Sequence, residues 1–213
     1  MKKLIQGIID FRKHRIEDYR EKFSKLALGQ APDTLFIACS DSRVVPNLFA
    51  STDPGDLFVV RNVGNLIPPC NADGHSAGDK SEWAAIEFAI LELKVSDIIV
   101  CGHSECGAMQ AILQGRKTVA GDHLKSWLEY GEEAVAMQAK IKFSKEDIAE
   151  HNKISQANVL LQLSHLSTYP VIQQKMKQGQ LHLHGWWFDI GSGNVYAFDE
   201  KTKQFVLIDE FAV

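Results

Sequence analysis

Apolar positions in the first thirty residues recur at helical spacing. Leu4, Ile5, Ile8 and Ile9 form one stripe, and Ile16, Tyr19, Phe23 and Leu26 form a second at steps of 3, 4 and 3. Gly29 and Pro32-Asp33 close this arm. The pattern then changes to short continuous apolar runs at Thr34–Cys39, Leu57–Val60 and Ile98–Cys101. Runs of that length fit strands buried on both faces, as in a parallel sheet. Between them the spacing predicts a short helix at 46–50, a helix over about 81–93 and another over about 107–113. The 81–93 helix is apolar nearly all round, so it is expected to be covered on two sides.

Residues 68–80, with two prolines, two glycines and Cys70, read as a loop. Residues 122–141 read as two short helices parted near Gly131. Ser144-Lys145-Glu146-Asp147 resembles a capping box that starts a long helix to about Leu166, closed before Tyr169-Pro170. A helix over about 171–178 follows. Gln180 to Ile190 alternates and reads as a fourth strand; Val195–Phe198 and Phe205–Ile208 read as a terminal hairpin. Strands alternating with helices predict an α/β fold: a single domain over 1–213 with a mostly parallel central β-sheet flanked by helices. The N-terminal helical arm, 1–30, has to bury its stripe on its own domain or on a second subunit, and the sequence fits either.

Composition narrows the class. The chain has 213 residues, 45% hydrophobic and 23% charged, enough for one sizeable core. A net charge of -4 and no basic stripe argue against a nucleic-acid partner. No apolar run approaches the roughly 20 residues of a membrane span, and Asp10, Arg12 and Lys13 interrupt any signal-like segment. The expected location is therefore the cytoplasm. Four cysteines make no disulfide framework; in a reducing compartment they are metal ligands, catalytic groups or core residues.

Two stretches carry the candidate chemistry: Cys39-Ser40-Asp41-Ser42-Arg43 and Cys101-Gly102-His103-Ser104-Glu105-Cys106-Gly107. Each follows a strand-like run, and in parallel sheets functional groups gather beyond the carboxyl ends of the strands. If the two strands are neighbours, Cys39, His103 and Cys106 can reach one point. Two thiolates, an imidazole and a free position fit catalytic zinc, and soft thiolates disfavour magnesium or calcium. Cys101 is a rival ligand, but its place inside an apolar run favours a packed core thiol. Cys70 reads as a free thiol. His182 and His184 share a strand face, and ordinary strand histidines are the simpler reading. Asp41 and Arg43 can meet if the chain turns between them, and an arginine partner keeps a carboxylate ionised. Such a carboxylate could orient a metal-bound hydroxide, or bind the zinc itself and shut the site; it could also be a plain salt bridge.

Cys-x-Asp-x-Arg followed by His-x-x-Cys resembles the signature of the β-class carbonic anhydrases. The similarity extends over Gly29-Gln30, Gly55–Val63, Ala85–Ala89, Gly102–Ala108 and His184-Gly185-Trp186. The resemblance implies a lyase that reversibly hydrates carbon dioxide to bicarbonate and a proton. It implies one Zn2+ per subunit on Cys39, His103 and Cys106, with Asp41 orienting a zinc-bound hydroxide and Arg43 holding Asp41 off the metal. Gln30, Phe58, Val63 and the Gly107 N–H match the family's substrate pocket, and Phe88 stands where many relatives carry Tyr. In related enzymes Gln30 reaches across a dimer interface, so a homodimer or higher even oligomer is expected. One subgroup is shut by bicarbonate through a Trp–Arg–Tyr pocket. Here Arg61 is present, but Phe36 and Phe188 stand at the Trp and Tyr positions, so the resemblance implies the open subgroup. Alternatives are the same fold acting on carbon disulfide or carbonyl sulfide, and a zinc-binding protein without turnover.

Overall fold

A computed structural model describes residues 1–78, 80–143 and 147–209. Among the described residues the chain forms one six-stranded sheet with helices on both faces. The N-terminal stripes become α1 (Lys2–His14) and α2 (Ile16–Leu26). The apolar runs become β1 (Thr34–Cys39), β2 (Leu57–Asn62) and β3 (Asp97–His103), and the alternating segment becomes β4 (His182–Asp189). These four strands are parallel, and β5 (Asn194–Asp199) and β6 (Gln204–Leu207) add an antiparallel meander, giving the order β2-β1-β3-β4-β5-β6. The expected terminal hairpin is thus the outer part of the same sheet.

Strands buried on both faces need cover from both sides. On one face Leu35, Ile37, Ile98 and Val100 pack against Ile86, Ala89 and Ile90 of the next helix and against Val159 and Leu166. On the other, Phe36, Ala38, Ile99 and Cys101 meet Val44, Phe49 and Phe188. Cys101 is fully enclosed there, and burial pushes its thiol far above the usual range. It is the core residue its apolar setting predicted.

The remaining helices are α3 (Pro46–Phe49), α4 (Lys80–Glu87), α5 (Gly107–Gln114), α6 (Asp122–Leu128), α7 (Ala134–Met137), α8 (Glu150–Leu166) and α9 (Pro170–Lys177). The predicted 81–93 helix is real but changes pitch: α4 continues as a wider π-helical segment, Phe88–Leu93, and ends on Lys94 in a left-handed conformation. Both α3 and α9 begin with proline at the first turn, where its missing N–H costs nothing. The capping box expected at 144–147 lies mostly outside the described residues, and α8 begins at Glu150. No helix among the described residues is long and apolar enough to cross a membrane.

α1 differs from the rest. None of its residues is buried, and Leu4, Ile5 and Ile8 are more than half exposed. α2 is tethered by an ion pair from Lys22 to Asp53 and by Leu26, which reaches the turn at Gly55. The arm therefore leaves its first apolar stripe uncovered by its own chain.

Candidate metal centre

The chain runs from β1 outward to β2, then returns to place β3 on the other side of β1. That reversal opens a crevice between the carboxyl ends of β1 and β3. Cys39 is the last residue of β1, and His103 is the last of β3. Cys106 is the residue before the first turn of α5. Their ligand atoms all lie within 4.8 Å of one another, and all three residues are buried.

The donor set is prepared for a cation. Nδ1 of His103 sits 2.8 Å from the Ser104 carbonyl, which fixes the N–H on that nitrogen and leaves Nε2 with its lone pair. Nε2 is buried and has no hydrogen-bond partner, a costly arrangement unless something else binds it. The two thiols influence each other in opposite directions. Cys39 is held far down, to about 4, first by a hydrogen bond from Cys106, with the Gly64 N–H adding to it. Cys106 is pushed up, first by that bond to Cys39 and then by burial. A buried site with two sulfurs side by side and an imidazole nitrogen without a hydrogen-bond partner fits zinc.

Asp41 and Arg43 do meet. Arg43 Nε and Nη2 donate to the two oxygens of Asp41 at 2.9 and 2.7 Å, and the Arg43 backbone N–H donates to Oδ1 at 3.0 Å. This grip, above all the side-chain bonds, holds the Asp41 carboxyl well below the usual carboxylate range. Arg43 Nη2 also donates to the Glu105 carbonyl at 3.0 Å, so it fastens the first stretch to the second. Arg61 serves the same region, donating to the carbonyls of Cys39 at 3.0 Å and Asp41 at 2.7 Å.

A cleft of about 330 Å³ opens beside these groups, lined by Cys39, Asp41, Val63, Gly107 and apolar residues of α5 and α6. Of the pocket residues expected from sequence, Val63 and Gly107 lie here. Gln30 does not: it borders a separate cavity of about 710 Å³ between α2 and the turn at Pro54-Gly55-Asp56. Phe58 and Phe88 are also elsewhere, paired with each other at 5.8 Å beside the edge strand β2. Phe36 is fully buried against Phe49 and Trp186, and Phe188 stacks on Phe49 at 4.5 Å. His182 and His184 sit at the far end of the sheet, where Asp97 Oδ1 accepts from His184 Nε2 at 2.8 Å.

Two contributions escaped the motif reading. The Gly64 N–H reaches Cys39 Sγ at 3.3 Å, and Trp127 Nε1 donates to the Val63 carbonyl at 2.7 Å, fixing the cleft wall. The signal for the first was Gly64 itself: its φ of 82° suits glycine, and a Cβ there would stand 2.9 Å from that of Ala108.

Comparison with known proteins agrees with this geometry. The sequence model of the carbonic anhydrase family matches residues 34–195. A carbonic anhydrase of Pseudomonas aeruginosa is 40% identical over 99% of this chain and 93% of its own length. Carbonic anhydrase 1 of Escherichia coli is 41% identical over 97% of this chain and 91% of its own. Among solved structures, the β-carbonic anhydrase CcaA superposes with a TM-score of 0.87 at 38% identity, covering 98% of this chain and 99% of that one. A structure from a study of two tetrameric β-carbonic anhydrases of Sordaria macrospora gives 0.77 at 31% identity, over 92% and 95%.

Proposed function

The chain belongs to the carbonic anhydrase family, in its β class, and from that premise we propose how its residues share the zinc-dependent hydration of carbon dioxide to bicarbonate and a proton. The observation that carries the reading is the convergence of Cys39, His103 and Cys106 beside a carboxylate gripped by arginine. These three residues hold the metal. Zinc, when bound, acidifies a water toward a pKa of about 7, the figure typical of carbonic anhydrase sites and not one obtained from this geometry.

Asp41 accepts a hydrogen bond from the attacking water and so fixes which lone pair faces the substrate. Arg43 keeps Asp41 ionised and turned away from the ligand cluster. A carboxylate with so low a proton affinity is a poor proton carrier, so the released proton passes to buffer and not through Asp41. The apolar wall at Val63 suits an uncharged linear substrate, and the Gly107 N–H at the first turn of α5 offers a donor to its oxygen. A structural zinc site would have no use for the Asp41–Arg43 pair.

Gln30, Phe58 and Phe88 act in this reading from a second subunit. Their distance from the cleft of their own chain supports it, as do the half-exposed Phe88 and the uncovered stripe of α1. The chain is then a homodimer or a higher even oligomer, with the arm 1–30 as part of its single domain. Phe36 and Phe188 have no polar hydrogen to offer, which supports the open subgroup. Four free cysteines suit the reducing cytoplasm.

The deciding experiment is stopped-flow hydration of carbon dioxide by the zinc-replete protein. Rapid turnover in the wild type, lost in Cys106→Ser together with bound zinc, is the expected result. Activity that survives this substitution would refute the assignment.

A further inference from the structure

α8 carries a line of buried polar side chains that the reaction does not use. Asn152, Ser155 and Asn158 are 7%, 2% and 1% exposed. They are spaced three apart, so they share one side of the helix. Buried polar groups must find partners, and these find theirs on the segments that carry the metal ligands. Asn152 Oδ1 accepts the Glu105 N–H at 2.8 Å, while its Nδ2 donates to Glu105 Oε1 at 3.1 Å. Ser155 Oγ donates to the His103 carbonyl at 2.8 Å and accepts from Trp187 Nε1 at 3.1 Å. Asn158 Nδ2 donates to the Gly64 carbonyl at 3.1 Å, and Gly64 is the residue whose N–H bonds Cys39 Sγ.

Two of the three held points have a left-handed backbone. Glu105, between His103 and Cys106, has a φ of 56°, a left-handed conformation that a residue with a side chain adopts only under constraint. Gly64 is left-handed too, in a conformation that suits glycine. The helix can reach them because it lies very close to the sheet. Val159 fits over Gly102 of β3 and Gly185 of β4, where a Cβ would stand 2.8 and 2.9 Å from its methyl groups.

The geometry points to α8 as the template of the zinc centre, with Asn152, Ser155 and Asn158 as positioning residues that hold Cys39, His103 and Cys106 at metal-binding distance. This rests on the zinc reading above and extends it to residues that touch neither metal nor substrate. Loss of outer-shell partners of this kind typically costs about 10- to 100-fold in metal affinity or activity.

The test is zinc release from the purified full-length holoprotein to a chelator, followed beside thermal unfolding, with the absorption of the cobalt(II)-substituted protein as a second readout. Asn152→Ala and Asn158→Ala are expected to release zinc about 10- to 100-fold faster and to shift the thiolate–cobalt bands. Ser155→Ala, the mildest change, is expected to speed release by about tenfold and guards against variants that fail to fold. Leu166→Ala, buried at the other end of α8, lowers the melting temperature but should leave release within about twofold of wild type. Glycine tolerates positive φ, so in a Glu105→Gly background the further effect of Asn152→Ala should shrink to about twofold. Release rates that simply track melting temperature across all variants, or an undiminished Asn152→Ala effect in the glycine background, would overturn the proposal while leaving the zinc assignment intact. A wild-type protein that retains no zinc would overturn both.

Discussion

Asp41 shows how one pairing sets both chemistry and stability. Its folded pKa is depressed, chiefly by the Arg43 side chain, so the pair adds stability above the unfolded carboxyl value of about 3.9. That stability is lost as pH falls through the lower folded value. The difference in unfolding free energy between wild type and Arg43→Ala should therefore be present at neutral pH and shrink below about pH 4; urea titrations across that range measure it. The same variant frees Asp41 to turn onto the metal, and kcat/KM near neutral pH should fall by at least about tenfold. Wild type, by contrast, should show no break in its rate–pH profile from Asp41 above about pH 4. An inflection there that Asp41→Asn removes would count against the ionised, arginine-held carboxylate.

At the scale of elements, what was legible in the sequence followed periodicity. Continuous apolar runs marked β1 and β3 because a buried parallel strand needs apolar side chains on both faces, whereas β2 carries a similar run and is a partly exposed edge strand. The candidate ligands were legible because Cys39 ends such a run and His103 and Cys106 follow within a few residues of another. The π-helical end of the 80–93 segment was hidden, since a change of pitch leaves the apolar pattern nearly intact. The role of α8 was hidden for a different reason. Polar residues on a helix are ordinarily read as its wet face, yet here Asn152, Ser155, Asn158 and Gln162 all point inward. Only the loops they meet, far away in sequence, reveal their purpose. The close approach of α8 to the sheet makes a further prediction. Gly102→Ala would drive a methyl into Val159 and into the Ser155 carbonyl 3.1 Å away. It should cost about 1–3 kcal/mol in equilibrium unfolding by urea, and an unchanged midpoint would mean that the helix is free to move off.

At the scale of the whole molecule, several apolar surfaces are left open by the chain. β2 is an edge strand with Val59 at least a third exposed, Val63 just after it is exposed as well, Phe88 stands beside it, and α1 offers Leu4, Ile5 and Ile8 to solvent. Exposed sheet edges invite pairing with another chain, and apolar stripes of this kind mark association. The paired substitution Ile5→Asp, Ile8→Asp should lower the mass found by sedimentation velocity. It should also depress hydration activity, because the pocket residues that sit outside their own chain's cleft are then no longer supplied. Wild-type mass and rate in that variant would show that the arm has no part in assembly. The sequence could show the stripe but not its cover, since periodicity reports that a face is buried and not by whom.

The placement of α8 also constrains when the centre can come into being. Cys39, His103 and Cys106 have all been translated before residue 110, whereas Asn152, Ser155 and Asn158 follow some forty residues later, and β4, which seals the open side of β3, later still. At ribosomal speeds of about 5–20 residues per second, several seconds pass with the ligands made but unsupported. Nascent chains arrested before Glu150 should accordingly exchange zinc freely, and chains arrested well beyond Asp189 should not. If α8 is the template proposed above, secure metal retention is a late event of biosynthesis, set by a helix outside the candidate ligand set.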